Sequence, residues 1–206
     1  MVGTAGLILA GGRSSRMGGG DKTMLTLGAA PLLRIIIDRL EPQVEMAAIS
    51  SNHDPDSLAI FSLPVLADVI PGFEGPLAGI LTGLEWAASL AAPRLVTVAG
   101  DTPFFPADLA QKLNDAAPAN GIAVAASERG PHPVFASWPT ALARALRSHL
   151  ESGGTRKIIA FMETYPHVSV TFAGISLPGG EVDPFYNINT PDDLAEARRL
   201  LHDTTS

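Results

Sequence analysis

The sequence predicts a single α/β domain, and two observations support this prediction. Within residues 1–116 an apolar strand, a polar strand end and a helix follow one another four times. This alternation is typical of a parallel sheet with right-handed crossovers and helices on both faces. The 206 residues are 46% hydrophobic and 17% charged, which suits one substantial core. We therefore expect a Rossmann-like, three-layer αβα sandwich with a mostly parallel central sheet.

The first half of the chain supplies this alternation. An apolar run that ends at Leu9 predicts the first strand. After Pro31, apolar residues recur at helical spacing and predict a helix that ends at residue 40. Later apolar runs are bounded by prolines or polar residues, which mark element ends. They predict strands at 46–50, 64–67 and 95–99 and helices at 76–90 and 106–116, with Pro106 in the first turn of the last helix.

The second half is less regular. A strand at 122–126 precedes a proline-rich segment at 130–133, which predicts a turn. Near the end of the chain, Thr190 followed by Pro191 predicts a helix cap and a final helix. Between them we expect helices at 140–150 and 155–162, a strand at 168–172 and a loop at 174–180.

Composition excludes several classes of function. The formal net charge of -7 argues against a nucleic-acid binder. Because cysteine is absent, disulfides, thiolate metal sites and a cysteine nucleophile are excluded. The longest apolar stretch, 77–100, is interrupted by Glu85 and Arg94 and does not fit a membrane span, and the apolar N-terminal run lacks the basic region of a targeting segment. We expect a cytoplasmic protein that binds neither nucleic acid nor membrane.

The stretch at 7–22, LILAGGRSSRMGGGDK, predicts a strand that leads into a phosphate-binding loop. Glycines let backbone amides approach a ligand, and Arg13, Arg16 and Lys22 supply cationic donors for phosphate oxygens. The spacing is not that of a Walker A motif, because Asp21 separates glycine from lysine, and no G-x-G-x-x-G opens a helix here. A nucleotide is the expected ligand, and a mobile glycine linker is the alternative.

Polar residues follow several predicted strands, at the edge where α/β proteins bind ligands. Asn52, Asp68 and Asp101 all fall there, together with the glycine loop. Asp101 follows the apolar run LVTVA, so its carboxylate is a candidate ligand for Mg²⁺ bridged to phosphates. A helix-capping role or a place in a turn is the alternative for this aspartate.

Motifs in a fixed order cover nearly the whole chain, from residue 6 to about residue 200. They are LAGGRSSRMGGGDK at 9–22, Asp68, GPLAG at 75–79, GDTP at 100–103, HPVFA at 132–136 and NINTPDDL at 187–194. Together they resemble the molybdenum cofactor guanylyltransferase family of the nucleotidyltransferase superfamily. The resemblance implies an enzyme that transfers GMP from GTP to the molybdopterin cofactor, with a sandwich of the nucleotide-diphospho-sugar transferase type. It also implies one domain over 1–206, in which 1–116 binds GTP and 117–206 binds molybdopterin and completes the sheet.

The resemblance also implies roles for individual residues. Lys22, Arg16 and Asp101 would be catalytic, and Asp101 would hold the Mg²⁺ cofactor. His132, Asn187 and Asn189 would lie near the second substrate, although a turn and a helix entry explain them almost as well. The implied nucleotide-binding residues are Leu9, Ala10, Gly11, Gly12, Lys22, Asn52, Asp68, Gly75, Pro76, Leu77 and Asp101.

The expected base is guanine. Gly11 leaves room for a purine, whereas related cytidylyltransferases typically read LAAG at this point and lack GPLAG. Ser50 stands where the family often has an asparagine, and we expect this to change affinity modestly. The alternatives are a cytidylyltransferase or sugar-phosphate nucleotidyltransferase, and a non-catalytic nucleotide-binding regulator. We expect a monomer with GTP and molybdopterin as substrates, whose product passes to molybdoenzymes and their insertion chaperones.

Overall fold

The structure, a computed structural model, describes residues 3–11, 25–52, 54–70 and 75–202. The strands in chain order are β1 (Thr4–Leu9), β2 (Thr26–Leu27), β3 (Ala30–Pro31), β4 (Met46–Ser50), β5 (Val65–Leu66), β6 (Arg94–Ala99), β7 (Ile122–Ser127), β8 (Gly130–Pro139), β9 (His167–Thr171), β10 (Ile175–Leu177) and β11 (Gly180–Val182). The helices are α1 (Leu32–Leu40), α2 (Pro55–Leu58), α3 (Pro76–Ser89), α4 (Leu109–Ala116), α5 (Ala143–Glu151), α6 (Ile158–Met162) and α7 (Pro191–Leu201).

A seven-stranded sheet forms the centre of the protein, in the order β5-β4-β1-β6-β8-β7-β9. Strands β5, β4, β1 and β6 are mutually parallel, and β7 is parallel to β9. Strand β8 runs antiparallel to both of its neighbours, β6 and β7. The register pairs Leu9 with both Ser50 and Ala99, so β1, β4 and β6 end at the same level. The predicted mostly parallel sheet is confirmed.

Helices cover both faces of this sheet, because successive side chains of a strand point to opposite faces. Leu7 packs with α3, α5 and α6 in one buried cluster. Ile8, the next residue of the same strand, packs with α1, α4 and α7 in the other. The two cores explain the uninterrupted apolar character of β1, and they confirm the three-layer sandwich.

Strand β8 corrects the predicted turn at 130–133. These residues form the start of the strand, and residues 130–132 pair with β7. Prolines lack an N–H donor and are tolerated where one side of a strand is unpaired. Pairing of β8 with β6 covers only residues 136–139, and the register against β7 shifts between Val124 and Ala125. Pro131 and Pro133 therefore lie in the part of β8 that does not pair with β6.

Other boundaries also differ from the prediction. Helix α4 begins at Leu109 rather than at 106, because Pro106 forms a turn whose carbonyl accepts from the Leu109 N–H and from Gln43 Nε2. The expected helix at 155–162 begins at Ile158. The expected loop at 174–180 instead contains the first strand of the β10-β11 hairpin, whose turn uses Gly180 at a φ of 131°.

Helix α3 lies unusually close to the sheet, and two glycines permit this. A Cβ on Gly83 would stand 2.5 Å from Leu7 Cδ2, and a Cβ on Gly79 would stand 2.7 Å from both Leu9 Cδ2 and Ser50 Oγ. Since Gly79 lies over the strand ends and Gly83 farther inside, the helix begins at the edge where β1 and β4 end. This contact fixes the start of α3 beside that edge.

A partly buried polar network holds β6 at its opposite end. Arg94 donates from Nε to Ser137 Oγ at 2.7 Å and from Nη2 to the Gly121 carbonyl at 2.9 Å. Ser137 Oγ donates to Asn114 Oδ1 at 2.6 Å, and Asn114 Nδ2 donates to Thr4 Oγ1 at 2.8 Å. Burial lowers the pKa of Arg94. The network joins β1, β6, β8 and α4, and so fixes the strand that leads to Asp101.

Replacing Asn114 by alanine tests the importance of this network. The substitution removes two hydrogen bonds and leaves the buried Ser137 hydroxyl without its acceptor, so we expect the free energy of unfolding to fall by about 1–3 kcal/mol. Gln111 is an exposed residue of the same helix. Gln111→Ala should change the value by less than about 0.5 kcal/mol. Chemical denaturation of both variants measures the difference, and equal values would contradict a structural role for the network.

Candidate functional site

The ends of β1, β4 and β6 are held together by backbone hydrogen bonds. Ala10 N–H donates to the Ser50 carbonyl at 2.9 Å, and Gly100 N–H donates to the Leu9 carbonyl at 2.9 Å. A Cβ on Gly100 would lie 3.1 Å from Ala10 Cα, so the close backbone packing favours glycine there. The backbone of the predicted nucleotide-binding residues Leu9 and Ala10 is therefore fixed between two neighbouring strands.

Gly11 differs from Gly100. It is exposed, and a Cβ added to it would meet no atom of the described residues nearer than the Ser50 carbonyl oxygen at 3.9 Å. Packing among the described residues therefore does not demand a glycine at this position. The following residues of the predicted loop, among them Gly12, Arg13, Arg16 and Lys22, lie outside the described residues.

Asn52 and Asp68, predicted separately, form a reciprocal pair. Asn52 Nδ2 donates to Asp68 Oδ2 at 2.8 Å, and the Asp68 N–H donates to Asn52 Oδ1 at 2.9 Å. Next to them, Thr82 Oγ1 of α3 accepts from the Val69 N–H at 3.0 Å and donates to the Ala78 carbonyl at 3.1 Å. Thr82 thus holds the backbone that carries Asp68. Sequence reasoning missed it, because it reads as one more residue of an apolar helix.

The start of α3 reaches the same edge. Gly75 occupies the N-cap with a φ of 122°, a backbone angle that favours glycine, and Pro76 is the first helical residue. The positive end of a helix dipole favours an anionic ligand. Leu77 was also predicted to bind nucleotide, but its side chain is buried in the core. Any contact that Leu77 makes with a ligand must therefore use its backbone.

Ser50 fills the narrow space under α3. It is 3% exposed, and its Oγ lies 2.7 Å from the place where a Cβ of Gly79 would be. The residue therefore packs against the helix, in a space suited to a small side chain. This explains the serine physically, while its effect on ligand affinity stays a prediction.

Asp101 follows β6 at this edge. Its Oδ1 accepts a hydrogen bond from Thr102 Oγ1 at 3.3 Å, and its carbonyl accepts from the Ile188 N–H at 2.9 Å. The N-cap position of α4 is Asp108, so Asp101 does not cap that helix. The Ile188 contact brings the predicted second-substrate residues Asn187 and Asn189 next to the Asp101 segment.

Another cluster surrounds His132, at the carboxyl end of β7. Ser127 Oγ lies 2.8 Å from His132 Nε2 and donates to Asp183 Oδ2 at 2.7 Å. The Phe185 ring packs on the His132 ring with centroids 4.4 Å apart. Sequence reasoning missed Ser127, Asp183 and Phe185. Only Ser127 carries a usable signal, since it is a polar residue at a strand end.

Thr190 is confirmed as a helix cap. Its Oγ1 accepts from the Asp193 N–H at 3.1 Å, while Asp193 Oδ2 accepts from the N–H groups of Thr190 at 2.8 Å and Asn189 at 2.9 Å. This capping box fixes the backbone of Asn189, whereas the Asn187 side chain is exposed.

Two absences among the described residues concern a metal ion and a membrane. Within residues 3–11, 25–52, 54–70 and 75–202, no group of three or more histidine, aspartate or glutamate side chains is placed to hold a metal ion. Over the same ranges no helix is long and apolar enough to cross a membrane. A cation at Asp101 would therefore depend on ligands other than a carboxylate cluster of the described residues.

The fold and the strand-end site define the class of protein. The model of the MobA-like NTP transferase domain matches residues 6–168, and the chain belongs to this family. A curated relative from Mesorhizobium japonicum, named molybdenum cofactor guanylyltransferase, is 52% identical over 205 residues, which cover 98% of each chain. These two findings confirm the family predicted from the sequence motifs.

Solved structures agree on the fold. Molybdopterin-guanine dinucleotide biosynthesis protein A from Archaeoglobus fulgidus superposes with a TM-score of 0.71 at 22% identity, over 94% of this chain and 96% of that one. A 4-diphosphocytidyl-2C-methyl-D-erythritol synthase from Anaerococcus prevotii gives the same TM-score of 0.71 at 13% identity, over 96% and 95%. The fold is thus shared by proteins whose names refer to different bases.

The pH behaviour of His132 gives a direct test of the site. Burial lowers the pKa of His132 below 6.5, the Asp183 charge opposes this, and the Arg129 charge adds to it. Since the unfolded chain then binds more protons, this histidine should reduce stability as the pH falls from about 6.5 through its folded pKa. An NMR titration of the imidazole, assigned with His132→Gln, measures the value. A pKa at or above 6.5 would contradict the described environment.

Proposed function

We propose that this chain is a molybdenum cofactor guanylyltransferase, which transfers GMP from GTP to molybdopterin and releases pyrophosphate. The observation that carries the proposal is the 52% identity, over 98% of both chains, with the relative that bears this name. The match extends past the family domain at 6–168 into the segment that contains Asn187 and Asn189.

The strand-end geometry supports binding of GTP. The backbone of Leu9 and Ala10 is fixed at the same edge as the Asn52-Asp68 pair and the start of α3, which offer a carboxylate and a positive helix end for a nucleotide. Gly11 supports a purine, because packing among the described residues gives no reason for a glycine there, whereas a base that lies against the backbone would. Gly79 of GPLAG has a packing reason of its own, so the choice of guanine rests mainly on Gly11.

Asp101 suits the Mg²⁺ that the reaction needs. Mg²⁺ in nucleotide sites is commonly held by one or two carboxylates, with phosphate oxygens and water completing its octahedron. A single strand-end aspartate without a surrounding acidic cluster fits this pattern among the described residues. When held by Asp101, the ion would offset the negative charge of the phosphates.

The reaction is an in-line substitution at phosphorus. A terminal phosphate oxygen of molybdopterin forms a bond to the α-phosphorus of GTP while the bond to the bridging oxygen breaks, and pyrophosphate leaves. The attacking phosphate is already ionised, so no general base and no covalent enzyme intermediate are needed. Positioning and charge neutralisation supply the catalysis. We assign Lys22 and Arg16 to the charge on the departing pyrophosphate.

The remaining assignments are part of the same proposal. Residues 1–116 bind GTP, and residues 117–206 bind molybdopterin through His132, Asn187 and Asn189. The protein acts as a cytoplasmic monomer, without nucleic acid or membrane, and passes its product to molybdoenzymes and their insertion chaperones. The hydrogen bond between Ile188 and Asp101 supports this division, because it joins the two halves at the site.

A single-turnover assay tests the function. Purified protein with Mg²⁺, GTP labelled at the α-phosphate and molybdopterin should give a labelled dinucleotide and pyrophosphate. CTP should react about 10²-fold or more slowly, because a site built for one base leaves polar groups unpaired with another. Equal use of CTP would favour a cytidylyltransferase, and transfer to a sugar phosphate would favour a sugar-nucleotide enzyme. GTP binding without any transfer would favour a regulator.

Asp101→Asn tests the metal assignment. The substitution keeps the size of the side chain but removes its charge, so kcat should fall by about 10²-fold or more, as on loss of one electrostatic group in a site. Asp108→Asn is a matched control, because Asp108 makes an exposed ion pair with Lys112 at 2.8 Å. Its kcat should be unchanged. Full turnover by Asp101→Asn with Mg²⁺ would show that another group holds the ion.

A further inference from the structure

The cluster around Ser127 lies on the same edge of the sheet as Asp101. Strands β6 and β7 are both antiparallel to β8, so they run in the same direction and end at the same edge. Residues 183–190 connect the two strand ends, because Asp183 bonds to Ser127 and the Ile188 N–H bonds to the Asp101 carbonyl. The cluster therefore belongs to the part of the edge that the second half of the chain contributes.

The hydrogen atoms of this cluster can be assigned from its donors and acceptors. An ionised carboxylate only accepts, so the Ser127 hydroxyl must donate to Asp183 Oδ2, at 2.7 Å. The hydroxyl has no second hydrogen. It accepts from the Arg129 N–H at 3.2 Å, and its contact with His132 Nε2 at 2.8 Å then requires the hydrogen to be on the histidine. The carboxylate thus sets the tautomer of His132 through one hydroxyl.

The orientation of both groups is fixed by the surrounding core. Asp183 Oδ1 accepts from the Phe185 N–H at 2.7 Å, and the Asp183 side chain is only 8% exposed. The Phe185 ring that packs on His132 also contacts Phe135, with centroids 4.8 Å apart, and Phe172, with centroids 5.8 Å apart. The imidazole therefore lies against an anchored ring on one side.

We propose that Ser127 and Asp183 are positioning residues that hold His132 as the neutral Nε2-H tautomer, so that Nδ1 accepts a hydrogen bond from an N–H group of the pterin. This inference rests on the proposed function, which makes a pterin the second substrate. The pterin amino group and ring N–H groups are donors, and they need an acceptor. A protonated imidazole has only donors and could not serve. Burial, which lowers the pKa of His132, keeps the ring neutral near pH 7.

Replacing the Asp183 carboxylate by an amide should reverse the tautomer of His132. In Asp183→Asn, the Phe185 N–H would keep the amide oxygen at the Oδ1 position, so the NH₂ group would face Ser127. Ser127 would then accept from Asn and donate to His132 Nε2, and the histidine hydrogen would move to Nδ1. The same exchange of carboxylate for amide gives the wrong histidine tautomer in the serine protease triad.

The tautomer is measured without substrates. Long-range ¹H-¹⁵N NMR of the labelled full chain, with His132→Gln for assignment, should show Nε2-H in the wild type and Nδ1-H in Asp183→Asn. Ser127→Ala should give a mixture, and it provides a second test if the first variant folds poorly. Asp192→Asn, an exposed aspartate of α7, is the matched control and should leave His132 unchanged. A wild-type Nδ1-H ring, or an unchanged tautomer in both cluster variants, would overturn the positioning role.

Steady-state kinetics test the acceptor role. Asp183→Asn should raise KM for molybdopterin about tenfold or more, the loss expected for one hydrogen bond, while KM for GTP stays unchanged. A switched tautomer with an unchanged KM for molybdopterin would overturn the contact with the pterin. If the wild type transfers no GMP at all, the proposed function fails and the pterin contact fails with it. The NMR result still decides separately whether Ser127 and Asp183 set the tautomer.

Discussion

Close approach of the backbone at the ends of β1, β4 and β6 is the constraint on which the site depends. Leu9, the last residue of β1, pairs with both neighbouring strands. Two further hydrogen bonds, from the Ala10 N–H to the Ser50 carbonyl and from the Gly100 N–H to the Leu9 carbonyl, hold the strand ends together just beyond this pairing. Glycine at 79 and 100 removes the side chains that would separate these backbones or lift α3. The strand ends, the helix start and Asp101 are consequently held in one rigid edge, and a rigid edge is what catalysis by positioning requires.

The sequence predicts the parallel half of the fold well because each element there has one regular period. Strand β4 and the length of α3 follow from apolar runs between prolines and polar residues, and the Thr190 cap follows from its neighbours in the chain. The prediction for the start of β8 was wrong, because the prolines at 131 and 133 indicate a turn when only the local sequence is considered. Tertiary structure decides that this part of β8 pairs with β7 and not with β6.

The site follows the same division. Asn52, Asp68 and Asp101 could be predicted because each follows a buried strand, yet the mutual hydrogen bonds of Asn52 and Asp68 join residues 16 positions apart. Ser127 and Asp183 are 56 positions apart, and no local pattern connects them. Two solved structures with the same TM-score to this chain have names that refer to different bases, guanine and cytosine. The fold alone therefore does not predict the base.

The hydrogen bond from Ile188 to the Asp101 carbonyl has a thermodynamic consequence. It lies beyond residue 168, where the match to the family domain ends, and it connects the segment of Asp183 and Asn187 to the backbone of the metal-binding candidate. A ligand that shifts residues 183–190 must therefore also displace Asp101 or break this bond. By linkage, each substrate would then alter the affinity of the other by the same factor. In the proposed function, the C-terminal segment would thereby make binding of the nucleotide and of the acceptor energetically interdependent.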